Sequence, residues 1–71
     1  MIYKTVSDAI TFQNVFDNYA IIKGSLSGIS YFKYSIIKIL FNEKEEYNIV
    51  CETLDLKYAE LVCNVLNNSG K

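Results

Sequence analysis

Four stretches of the chain bring together side chains that could do chemistry: Gly24-Ser25-Leu26-Ser27-Gly28, Tyr31-Phe32-Lys33-Tyr34, Asn42-Glu43-Lys44-Glu45-Glu46, and the pair Cys51 and Cys63. The first has the glycines and hydroxyls of a phosphate loop. Such a loop needs Lys-Ser or Lys-Thr straight after its last glycine, opening a helix; Ile29-Ser30-Tyr31 comes next here and reads as the start of a strand, so a connecting loop is expected. The second interleaves rings with a cation, as single-strand nucleic-acid binders do. Those proteins surround the rings with positive charge, whereas this chain has seven Lys, no Arg, eight acids and a net charge of -1. The third could gather a cation or steer a basic partner. Neighbouring carboxylates in a tight turn splay apart, and the spacing and central glycine of a calcium loop are missing. The two cysteines match neither a CxxC redox pair nor a zinc set and are expected as free thiols in a reducing compartment.

No catalytic residue is expected. With no histidine, no nucleophile–base pair of the usual kind can be written, and neither a metal nor a cofactor is called for. The candidate partner-binding residues are therefore Glu43, Glu45 and Glu46 at an acidic tip and Tyr31, Lys33 and Tyr34 on a sheet. Nucleic acid or nucleotide binding through Tyr31, Lys33 and Tyr34 is the alternative.

The elements that must position these residues can be read from periodicity. From Leu56 to Asn67 the polar residues Lys57, Glu60, Asn64 and Asn67 share an arc of roughly 80° at about 100° per residue; Asp55 is the expected cap, with Thr53 as a rival, and Gly70 lies past the end. The apolar remainder is about twice the stripe a surface helix needs. Leu56, Ala59, Val62, Cys63 and Leu66 suit the domain's own core, which leaves Tyr58, Leu61 and Val65 for self-association. Ser30–Phe41 and Glu46–Thr53 read as two strands of a hairpin, joined by 42–45. Pairing Phe41 with Glu46 puts Tyr34, Ile36 and Leu40 on one face with Tyr47, Cys51 and Thr53, to receive the helix. The other face carries Ile37, Ile39 and Phe41 beside Glu46, Asn48, Val50 and Glu52, and calls for a second layer or subunit. A helix over 8–18 capped by Ser7, with a hairpin turning at Asp17-Asn18 as the alternative, precedes a strand near Tyr19–Lys23.

Residues 1–71 thus form a single α+β domain: a small antiparallel sheet of about three strands against a C-terminal helix, with a short N-terminal helix. So short a chain has a core that supplies only roughly 3–5 kcal/mol, and association is a common supplement. No apolar run approaches the ~18 residues of a membrane span. The start, Met1-Ile2-Tyr3-Lys4-Thr5, lacks the charged and apolar regions of a secretory signal, so a cytoplasmic location and no membrane partner are expected.

Phe, Tyr, Met, Ile, Asn and Lys, all with AT-rich codons, make up 34 of the 71 residues, a skew typical of low-GC bacterial, viral or plasmid genomes. With that vocabulary, the size, the acidity and an ending of strand and then Tyr58-Ala59-Glu60-Leu61-Val62-Cys63-Asn64-Val65-Leu66-Asn67, the chain resembles small phage and mobile-element accessory inhibitors, anti-CRISPR proteins among them. The resemblance implies a non-enzymatic regulator or inhibitor that occludes the surface of a host protein. A purely structural, self-associating subunit is the remaining reading. The partner is a host protein or a second copy, with a homo-oligomer expected.

Overall fold

A computed structural model describes residues 2–13, 18–40 and 46–69. The order is β1 (Ile2–Tyr3), α1 (Val6–Gln13), β2 (Tyr19–Lys23), β3 (Tyr34–Ile39), β4 (Tyr47–Thr53) and α2 (Leu56–Ser69). The class is α+β. The sheet has four strands in the order β1-β2-β3-β4 rather than about three, and it is mixed rather than purely antiparallel: β1 runs parallel to β2, while β2–β3 and β3–β4 are antiparallel. A parallel pair cannot be joined by a tight turn. Here α1 makes the return, so β1, α1 and β2 form a β-α-β unit.

The N-terminal helix begins earlier than its spacing suggests. Thr5, not Ser7, is the cap: its hydroxyl accepts from the Asp8 amide at 3.1 Å and its carbonyl from the Ala9 amide at 3.2 Å. Ser7 lies inside the first turn. Because Ile10 to Gln13 are helical, the alternative hairpin through this stretch is excluded. The helix does not reach residue 18. Asn18 already belongs to the sheet margin, where its carbonyl accepts from the Ile39 amide at 2.9 Å.

Each face of the sheet has its own core, with one helix over each. Under α1 lie Tyr3, Ala20, Ile22, Ile37 and Ile39 with Ala9, flanked by Val6, Ile10 and Leu26. Under α2 lie Ile21 and Ile36 with Ala59 and Cys63, flanked by Ile2, Tyr19, Tyr34, Cys51, Val62 and Leu66. The second layer called for over Ile37 and Ile39 is therefore α1. Central strands covered on both sides lose the apolar–polar alternation of a one-sided sheet, which is why Ile21-Ile22 and Ile36-Ile37 stand side by side.

The hairpin register departs from the uniform pairing expected. Tyr34, Ser35 and Ile36 pair with Thr53, Glu52 and Cys51 as the Phe41–Glu46 register requires; then a bulge at Ile36/Ile37 skips Val50, and Ile37, Lys38 and Ile39 pair with Ile49, Asn48 and Tyr47. Beyond it the Leu40 amide donates to the Glu46 carbonyl at 3.0 Å. One extra residue reverses which face the next side chains take. Tyr47 and Ile49 consequently join the α1 side with Ile39 and Ile37, whereas Cys51 stays beneath α2. Phe41 and residues 42–45 lie outside the described residues.

Candidate functional site

The connection between β2 and β3 folds around a buried hydroxyl. Ser35, fully buried on β3, accepts from the Leu26 amide at 3.0 Å and shares its one proton between the Gly24 carbonyl at 2.8 Å and Glu52 Oε2 at 2.7 Å. Ser27 donates to Glu52 Oε1, while Ser25 Oγ accepts from the Ile29 amide at 3.0 Å and lies 3.2 Å from Ser27 Oγ. Gly24 and Gly28 both take positive φ, 92° and 86°, a conformation that other residues adopt only with strain. Burial pushes the Glu52 carboxyl upward, but the hydroxyls of Ser27, Ser35 and Ser25, with the Ser27 amide, outweigh it and hold the pKa at about 2. The Leu26 and Ile29 amides are turned onto serines, and an ionised carboxylate faces the loop. This arrangement repels an anion; it is a clamp that holds the loop to β4.

Beyond the clamp, backbone hydrogen bonds tie the chain down on its way into β3. The Gly24 amide donates to the Lys33 carbonyl at 2.6 Å and the Lys33 amide to the Thr53 carbonyl at 2.9 Å. Residues 30–33 lie outside β3, contrary to the strand expected from Ser30. Of the sheet trio, only Tyr34 is on a strand. Tyr31 is 66% exposed, its ring edge-on to Phe32 with centroids 5.5 Å apart. Two adjoining depressions share Phe32 and Leu54. One, of about 400 Å³, is completed by Glu52, Thr53, Asp55 and Tyr58; the other, of about 300 Å³, by Lys23, Gly24, Ser30, Lys33 and Tyr34.

Asp55 caps α2, as expected, by accepting from the Lys57 amide at 2.8 Å; Thr53 instead donates its hydroxyl to the Asp55 carbonyl at 3.1 Å. Ala59, fully buried, faces the sheet, and the flank bearing Tyr58, Leu61 and Val65 remains 59%, 58% and 57% exposed. The opposite flank closes against β2. Asn67, expected on the solvated arc, brackets a backbone unit: Oδ1 accepts from the Tyr19 amide at 2.9 Å and Nδ2 donates to the Tyr19 carbonyl at 3.3 Å. A cleft of about 360 Å³ there is lined by Tyr19, Glu60, Cys63, Asn64 and Asn67 among others. Both cysteines are free thiols, and burial pushes each pKa up, which suppresses the reactive thiolate.

The six candidate partner-binding residues do not converge. Glu43 and Glu45 lie outside the described residues. Glu46 is exposed just before β4, beside Leu40, whereas Tyr34 pairs with Thr53 at the other end of the hairpin. Six residues of strand separate those ends by about 20 Å. The structure instead groups Lys33 and Tyr34 with Lys23, Phe32 and Leu54. The signal for that grouping was weak in sequence, because it depends on a loop folding back over the end of β4.

Among the described residues no group of three or more Cys, Asp or Glu side chains could hold a metal ion, and no helix is long and apolar enough to cross a membrane. What the fold and these surfaces define is an α+β domain with two cores and exposed apolar faces. No family model, curated protein or solved structure matches the chain.

Proposed function

We propose that this is a non-enzymatic binding protein, which pairs with a second copy through α2 and regulates or inhibits a partner protein by covering its surface. The mobile-element character of the sequence belongs to the same reading. The observation that carries it is the row Tyr58, Leu61 and Val65, more than half exposed along one flank of a helix whose opposite faces are engaged. Isolated exposed apolar residues are ordinary; a contiguous stripe marks an interaction surface. An antiparallel pair of such helices would bring Leu61 against its own copy and Tyr58 towards Val65, a large ring beside a small side chain. Lys57, next to Tyr58 in sequence, would lie well away from its counterpart.

The native mass tests this. Sedimentation should show a concentration-dependent increase above the 8.1 kDa of one chain, and Leu61→Glu should return the protein to a single chain with its fold intact. A wild-type protein that sediments as one chain at every concentration refutes the pairing.

A further inference from the structure

We propose that the double depression at the end of β4 takes an extended acidic peptide segment of a partner protein, seating an apolar side chain against Phe32 and Leu54 and holding a carboxylate at Lys23 and Lys33. The inference rests on the reading of the chain as a binding protein and concerns residues other than the Tyr58, Leu61 and Val65 row of α2.

Charge decides the chemistry of the occupant. The rim carries two carboxylates and two ammoniums, but they are not equivalent. Glu52 accepts hydroxyl protons at both of its oxygens, and Asp55 accepts from the first turn of α2, where the helix end is partially positive. Both acids line the apolar depression, with Phe32 and Leu54. Lys23 and Lys33 are exposed, and neither meets a carboxylate among the described residues. The depression lined by Lys23, Lys33, Phe32 and Tyr34 has two ammoniums and, among the described residues, no carboxylate on its wall, so the cationic charge of the groove sits at that end. The apolar end lies in the adjoining depression, where Leu54 is about half exposed beside Phe32. The two volumes, about 300 and 400 Å³, are each of the size that accepts a ligand group.

A nucleic-acid strand fits this charge pattern poorly. Its phosphates recur along the whole backbone, so a strand laid over the depressions would meet Glu52 and Asp55 as well as the lysines; affinity for such strands comes from many neutralised phosphates. A peptide presents one carboxylate and leaves the acidic rim to its own amides.

The test is selection on the immobilised full chain from a displayed library of random peptides about eight residues long, with a dT oligonucleotide titrated alongside at about 0.15 M ionic strength. Enriched peptides should pair Asp or Glu with a nearby aromatic or aliphatic residue. Lys33→Glu and Leu54→Ser, both at exposed positions, should each weaken them by roughly tenfold or more, with unchanged far-ultraviolet circular dichroism and native mass. Leu61→Glu should change the native mass and leave peptide affinity alone, which separates failure of this site from failure of the α2 pairing. Absence of any enriched peptide, enrichment without acidic residues, indifference to both variants, or tighter binding of the oligonucleotide than of any peptide would each overturn the proposal.

Discussion

Replacing Leu61 by Glu separates a surface role from a core role by amount as well as direction. Fully burying an aliphatic or aromatic side chain contributes about 1.5–3 kcal/mol. With 59%, 58% and 57% of Tyr58, Leu61 and Val65 still open, covering the three yields about 3–5 kcal/mol per chain, or about 6–10 kcal/mol for a symmetric pair. Association itself costs about 4–15 kcal/mol. The pair should accordingly be modest, and sedimentation equilibrium should span about 1 μM to 1 mM. Leu61→Glu on both chains forfeits about 3 kcal/mol of that burial and sets two carboxylates against each other, which weakens pairing by about a hundredfold or more. Unfolding of the single chain in urea should scarcely change, since Leu and Glu have similar helix propensities and exposed substitutions stay within about 0.5 kcal/mol. Ala59→Glu, at a fully buried site, should unfold the protein, and Lys57→Ala should do neither. If Leu61→Glu lowered the urea midpoint as Ala59→Glu does, the assignment of Leu61 to an open flank would be wrong.

Asn67→Ala should cost about 1–3 kcal/mol in urea unfolding, because the Tyr19 amide loses its acceptor while the Tyr19 carbonyl keeps Cys63 Sγ at 3.5 Å; stability equal to wild type would show that water replaces the bracket. Ser35→Ala should cost about as much by stranding the Leu26 amide, and amide exchange of Leu26 should accelerate while that of Ile21 does not. For Glu52 the carboxyl is depressed in the fold, so its contribution is fully present above its unfolded value near 4.5 and fades as pH falls towards about 2. Glu52→Gln should flatten stability across that window in acid titrations followed by circular dichroism; an unchanged slope would place the dependence elsewhere.

Much of the fold was legible from side-chain spacing, and the exceptions have physical causes. The strand Tyr19–Lys23 and the start of α2 after Asp55 can be read directly from β-branched clustering and from a cap before an apolar period. The exposed row on α2 was readable because a single helix can press only one arc on a sheet. By contrast β1 is two residues long, too short for any periodicity, and it exists because β2 offers an edge. The bulge at Val50 carries no glycine or proline to announce it. Alternation alone put Tyr47 beneath α2, and only the three-dimensional pairing moves it to the other side. Glu52 reads as the polar step of an edge strand; its serine partners come from a loop 25 residues away in sequence and from the adjoining strand. Phe32 and Lys33 share the aromatic vocabulary of β3, but the turn tied to Thr53 takes them out of it.

Ile36 and Ile37 are consecutive, both wholly enclosed, and assigned to opposite halves of the molecule. Ile21 and Ile22 on β2 are divided in the same way, so a disturbance beneath one helix has a path of one peptide bond on each central strand to the other side. That makes the middles of β2 and β3 the natural relay between the side that bears the exposed α2 row and the side that bears α1, so a partner gripping either side would shift amide exchange on both.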